Sequence, residues 1–181
     1  MTKIPLKYGT ATLTCDLPGA RVLRPATIAS PPSPRELIAS ALAAPIASPP
    51  LEAIVRPGER VVIVTSDITR YTGSEHYLPL LVERLNACGV LDKEIAVVIA
   101  LGIHRKQSEA EQLKILGSLF GRIAVFDHDC DDPAQLVDLG VTATGIPVRI
   151  NRRVAEADRV IVTGTARSEE RRVGKECRSR G

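Results

Sequence analysis

Val61-Val62-Ile63-Val64-Thr65-Ser66-Asp67-Ile68-Thr69-Arg70 decides the fold class of this chain. Four consecutive apolar, mostly β-branched residues read as a strand buried on both faces. The run then opens into a polar loop. A second run, Glu94-Ile95-Ala96-Val97-Val98-Ile99-Ala100-Leu101, does the same and opens into Gly102-Ile103-His104-Arg105-Lys106. Two such units predict an α/β fold, a mostly parallel sheet with flanking helices and its chemistry at the carboxyl edge.

Between the two runs, Leu78, Leu81, Val82 and Leu85 fall on one face of a helix expected over about 75–87. Pro79 is tolerated only near the start of such a helix, and Gly89 closes it. After the second run, Ser108 and Glu111 have capping-box spacing. The helix they open is expected to point Leu113 and Leu116 inward and to end at Gly117. Arg122 to Phe126 reads as a third strand, Ala134 to Asp138 as a short helix, and Val148–Ile150 and Val160–Val162 as further strands. Upstream, the alternation over residues 4–15 predicts an edge hairpin or bent strand pair. Residues 16–34 are irregular and Pro-rich. Ser33-Pro34 should start a short helix that Pro45 ends, and Ser48 to Val55 is expected to begin another.

The chain has 181 residues, is 44% hydrophobic and 25% charged, and has room for one domain with a real core. No apolar run reaches membrane-spanning length, and the first residues lack a signal-peptide pattern. The cytoplasm is therefore the expected location. Cys15, Cys88, Cys130 and Cys177 form no CxxC pair, which gives no zinc signal and no disulfide framework. The net charge of +3 comes from residues 166–181, with six basic and three acidic side chains; the remaining residues balance. Charge thus gives no argument for nucleic acid. This stretch has no apolar period and resembles a translated sequencing-adapter read. The expectation is a domain over 1–165, followed by a non-native, disordered tail in place of natural sequence.

Candidate chemistry gathers in the loops. Thr65, Ser66 and Thr69 offer hydroxyls, and the turn offers backbone N–H groups, a combination suited to a phosphate or carboxylate. Arg70 can grip a carboxylate through two parallel hydrogen bonds, and Asp67 can orient an imidazole or a sugar hydroxyl. The competing reading is an Asx-turn with Arg70 on the surface. The spacing is not that of a P-loop. His104 is a natural proton carrier, with Gly102 allowing the tight turn before it. His128 lies between Asp127 and Asp129, a weak metal signal that equally fits a structural turn. His76 reads as a surface residue. Gly117 and Gly121 do not make a dinucleotide fingerprint.

Together these pieces resemble the N-terminal domain of the nickel-pincer-dependent lactate racemase family. The resemblance is carried by Leu6-Lys7-Tyr8-Gly9, Thr65 to Arg70, Gly102-Ile103-His104-Arg105, His128-Asp129-Cys130, Leu139 to Thr142, Gly145 to Val148, Asn151-Arg152-Arg153 and Glu156-Ala157-Asp158. It covers about residues 6–165. It implies a Rossmann-like N-terminal domain of a larger two-domain enzyme that racemises or epimerises a small, lactate-like 2-hydroxy acid by hydride and proton transfer. Arg70 would bind the substrate carboxylate and His104 would be one of two opposed bases. Asp67, Thr65 and Thr69 would serve the cofactor, a nickel pincer nucleotide. In the family, the second base, the tethering lysine and the nickel-binding histidine follow the strand at 160–162, where this sequence carries the adapter-like stretch. No metal ligand is therefore assigned here, Lys175 is not taken as the tether, and the 181 residues alone are expected to be inactive. Two alternatives remain open from the residues: a non-catalytic phosphate- or carboxylate-binding α/β domain, and a metal-dependent hydrolase using His104 and His128.

Overall fold

A computed structural model describes residues 3–23, 30 and 32–165. The stretch 166–181, expected to be a disordered tail, lies outside the described residues. The chain divides into two compact units, residues 1–32 and 33–181. The first is the predicted hairpin: β1 (Lys3–Tyr8) pairs antiparallel with β2 (Ala11–Asp16), Tyr8 opposite Ala11. It is a two-stranded sheet of its own and not an edge of the main sheet.

The second unit opens with α1 (Pro34–Ala43), which starts at Ser33-Pro34 as the sequence predicts; the structure adds a capping box, in which the Ser33 side chain accepts from the Glu36 N–H and the Glu36 carboxylate accepts the Ser33 N–H. A single turn, α2 (Leu51–Ile54), precedes β3 (Val61–Ser66). A 3-10 turn (Ile68–Arg70) leads into α3 (Ser74–Ala87). Next come β4 (Ile95–Ala100), α4 (Glu109–Leu116) and β5 (Ala124–Asp127). The chain then forms β6 (Leu136–Val141), β7 (Pro147–Asn151), the single turn α5 (Arg152–Ala155) and β8 (Arg159–Val162). β5, β4, β3 and β8 form one four-stranded sheet in that order, and every pairing is parallel. The carboxyl ends of all four strands therefore share one edge.

The register sorts the side chains. Val61, Ile63, Ile95, Val97 and Ile99 face α3 and α4, where Leu78, Val82, Leu85, Ile115, Leu116 and Leu119 are fully buried. Each such side chain contributes roughly 1.5–3 kcal/mol through burial. Leu42 and Leu51 pack on the same cluster from α1 and α2. The opposite face carries Val62, Val64, Val98, Val160 and Val162, and the last two are exposed. α3 ends as predicted: Gly89 takes φ 87°, its N–H bonds the Asn86 carbonyl, and the Val90 N–H reaches back to Leu85. That is a Schellman closure with Val90 and Leu85 both buried.

Two expectations are corrected. Residues 134–138 are not a helix: Pro133–Gln135 is one 3-10 turn, and Leu136 onward is β6, paired antiparallel with β7. Branched and apolar residues here fit a hairpin better than a helix, and Asp132 caps the turn by accepting from the Ala134 N–H. In α4 it is Ile115, with Leu116, that enters the core, while Leu113 is exposed. No helix among the described residues is long and apolar enough to cross a membrane.

Candidate active site

Asp67 follows the last residue of β3 and caps the 3-10 turn. It is 2% exposed, so its carboxylate needs partners. Its Oδ1 accepts both the Thr69 N–H (3.0 Å) and the Thr69 hydroxyl (2.7 Å). Its Oδ2 contacts His104 Nδ1. His104 comes from the neighbouring strand's loop, where Gly102 at φ 59° turns the backbone and the His104 N–H closes on the Leu101 carbonyl. The Thr69 hydroxyl lies 3.4 Å from the same ring nitrogen.

Burial pushes the Asp67 carboxyl up. The hydrogen bonds from Thr69 and His104, with the attraction of the imidazole, outweigh it and hold the group below the ordinary aspartate value. An ionised Asp67 only accepts, so Nδ1 of His104 must donate. Neutral His104 then presents an unprotonated Nε2, the arrangement of a general base. Its side chain is 47% exposed, so that nitrogen is open to a ligand.

Gln107 ties the two loops together. Its Oε1 accepts the Ile68 N–H (3.1 Å), and its own N–H donates to Asp127 Oδ2 (2.8 Å) at the end of β5. Asp127 Oδ1 is buried with no partner among the described residues. Beside the dyad is a cavity of about 200 Å³ lined by Leu101 to Lys106 and His128 to Asp131. At roughly 30 Å³ per water it admits a small organic acid. Its nearby cations are engaged. Arg105 forms a two-pronged pair with Glu111 (2.8 Å each), whose carboxyl is held at about 2 by Arg105 first and by the Ser108 N–H. Lys106 sits 3.8 Å from Asp129.

The remaining expected site residues are placed as follows. Arg70 ends the 3-10 turn that carries Thr69 and its N–H donates to the Asp67 carbonyl (3.0 Å); its side chain is exposed and makes no hydrogen bond or ion pair among the described residues. Thr65 is 1% exposed, and its hydroxyl lies 3.3 Å from the Tyr77 hydroxyl on α3. Tyr77 also meets Thr72 (2.9 Å) and Thr163 (3.4 Å), so Thr65 belongs to a hydroxyl cluster that joins β3, β8 and α3. His128 lines the same cavity as His104 and pairs with Asn151. His76 is exposed beside Glu75.

A family model for the lactate racemase N-terminal domain matches residues 8–168. The chain belongs to that family. It is 30% identical over 170 residues to a lactate racemase of Lactiplantibacillus plantarum, an alignment covering 91% of this chain and 40% of that protein. Against the lactate racemase of Thermoanaerobacterium thermosaccharolyticum the identity is 26%, with the same coverage of each chain. The solved structure of a lactate racemase apoprotein from the latter organism superposes with a TM-score of 0.73 at 28% identity, covering 89% of this chain and 38% of that one. A Thermotoga maritima crystal structure, 19% identical with a TM-score of 0.55, covers 71% of this chain and 32% of its own and shares the fold alone. The chain thus spans about 40% of the length of the curated lactate racemases it matches.

For the nickel-bearing nucleotide that the resemblance implies, the described residues offer an incomplete fit. Among the described residues no three His, Cys, Asp or Glu side chains converge where an ion can sit. The dyad imidazole already spends Nδ1 on Asp67. The metal's donors are not found in this set, so no step is derived through it. Sequence reasoning missed Gln107 and Tyr77, and quoted Asn151 only within the Asn151-Arg152-Arg153 motif without a role, because each acts through a contact across long sequence separation. Only Asn151 left a local signal, an Asx residue capping α5 through the Arg153 N–H.

Proposed function

We propose that this domain belongs to an isomerase of small 2-hydroxy acids, in which His104 exchanges the substrate hydroxyl proton. The observation carrying the proposal is the buried, ionised Asp67 that pins Nδ1–H of His104 and leaves Nε2 as a base at the strand ends. Membership in the lactate racemase N-terminal family supports the substrate class. Arg70, unpaired among the described residues, is assigned to the substrate carboxylate, which a guanidinium matches with two parallel bonds. Thr69 holds Asp67 in place.

The order β5-β4-β3-β8 follows the third, second, first and fourth parallel strands in the chain. Those are the first four strands of the doubly wound order 3-2-1-4-5-6, which supports a Rossmann-like reading with ligands at the carboxyl edge. A nickel pincer nucleotide is proposed as the cofactor of a lactate-racemase-length product, with its metal donors outside the described residues. Residues 1–181 alone are proposed to be inactive: removing the hydroxyl proton does not invert the carbon, whose own hydrogen must leave as hydride and return on the other face, and the described residues supply one base and no acceptor for that hydride. Turnover of D- or L-lactate by the 181-residue chain above a protein-free control refutes that point. In the longer product, His104→Gln should lower kcat by about 10²–10⁴-fold, as loss of a general base does. Retained kcat would instead favour a carboxylate-binding domain without catalysis.

A further inference from the structure

His128 is fixed by a side chain that the site described above does not use. Asn151, the last residue of β7, is 8% exposed. Its Oδ1 accepts the Arg153 N–H at 3.0 Å, which sets the orientation of the amide. Its Nδ2 therefore faces His128 Nδ1 at 3.1 Å. An amide nitrogen only donates, so Nδ1 of His128 accepts, and the proton of the neutral ring sits on Nε2. His104 has the reverse arrangement, Nδ1–H directed at Asp67. Two imidazoles of opposite tautomer thus line one cavity of about 200 Å³.

We propose that His128 is a substrate-binding residue whose Nε2–H donates to an oxygen of the small carboxylate that His104 deprotonates. This rests on the isomerase reading for the ligand, while the tautomer stands on Asn151 alone. His128 is poorly suited to be a second base. Its Nε2 already carries the proton, and protonating Nδ1 would set a donor against the Asn151 amide. Of the charged groups lining the cavity, Arg105 is engaged by Glu111 and Lys106 by Asp129, whose Oδ1 also accepts the Asp131 N–H at 3.1 Å; the exposed Asp131 carboxylate has no partner among the described residues and can only accept. With both cations of the lining engaged, the His128 N–H is a neutral donor left on the cavity wall for a ligand oxygen, beside the carboxylate contact assigned to Arg70.

The chain holds three histidines, so ¹⁵N-labelled protein gives three imidazole patterns, assignable with single His→Gln variants. Long-range ¹H–¹⁵N spectra at neutral pH should show His128 as the Nε2–H tautomer and His104 as Nδ1–H. Asn151→Ala should release His128 into a mixture of tautomers. An Nδ1–H His128 in the unaltered chain overturns the proposal. In the lactate-racemase-length product, His128→Ala should raise KM for L-lactate by about 10- to 100-fold, the worth of a hydrogen bond to a charged group, and by more than it lowers kcat. His128→Gln, which carries an N–H near the former Nε2, should recover part of that loss. A kcat loss at unchanged KM would instead make His128 a proton carrier and overturn the binding role. Failure of the isomerase reading would show separately, as unchanged kcat in His104→Gln with the tautomers intact.

Discussion

Asp67→Asn is the sharpest probe of the site, because it keeps size and shape while removing one charge. The new amide keeps Oδ1 as acceptor for the Thr69 N–H and hydroxyl, now at 3.0 and 2.7 Å from Asp67 Oδ1. Its NH₂ then faces His104 Nδ1, which must become an acceptor. The imidazole proton moves to Nε2, and the base becomes a donor. The comparable exchange in a serine-protease triad costs about 10⁴ in kcat. General-base contributions of about 10²–10⁴ bracket the expected fall here. KM for lactate should change by no more than about threefold, because Asp67 does not touch substrate directly. The assay is steady-state racemisation of D- and L-lactate by a lactate-racemase-length product. The double variant with His104→Gln should be no slower than His104→Gln alone, since the two residues act as one unit. A kcat within fivefold of the unaltered enzyme, or fully additive losses, would refute the dyad.

Three further outcomes concern the 181-residue chain itself. Asp67 has a folded pKa below 3.8, so it contributes stability in full above that ordinary value. The contribution is lost as pH falls through the lower folded value, and urea midpoints should drop on acidification below about pH 4 less steeply in Asp67→Asn. Leu85→Ala empties a fully buried position under the sheet and should cost about 2–5 kcal/mol in urea unfolding. Gly117→Ala should cost about 1–3 kcal/mol. The backbone there has φ 56°, and a Cβ would lie 2.9 Å from that of Glu75; thermal melting of the variant checks it.

Sequence alone revealed elements whose signals are local. β3 and β4 announced themselves as apolar runs, Ser33-Pro34 as a helix start and Ser108/Glu111 as a capping box. The inward face of α3 showed at helical spacing. The segment 134–141 misled because a short apolar stretch after Pro133 fits a turn of helix or a strand, and only its pairing with β7 decides. In the site, the meeting of Asp67 with His104 followed from adjacent strands opening at one edge. The burial of Thr65 against Tyr77 did not, because strand alternation sends Thr65 to the helix-covered face, and the facing residue belongs to a separate element. Asn151 setting the tautomer of His128 was equally hidden, being a contact between β7 and the end of β5.

The shared carboxyl edge has a consequence for how such a protein changes over time. Asp67, His104 and His128 hang from three different strand ends, while the side chains that hold the sheet together lie beneath α3 and α4. A loop can therefore lengthen, shorten or exchange residues and leave the interior as it was. Substrate preference can drift through piecemeal edits at the rim, with the scaffold inherited intact.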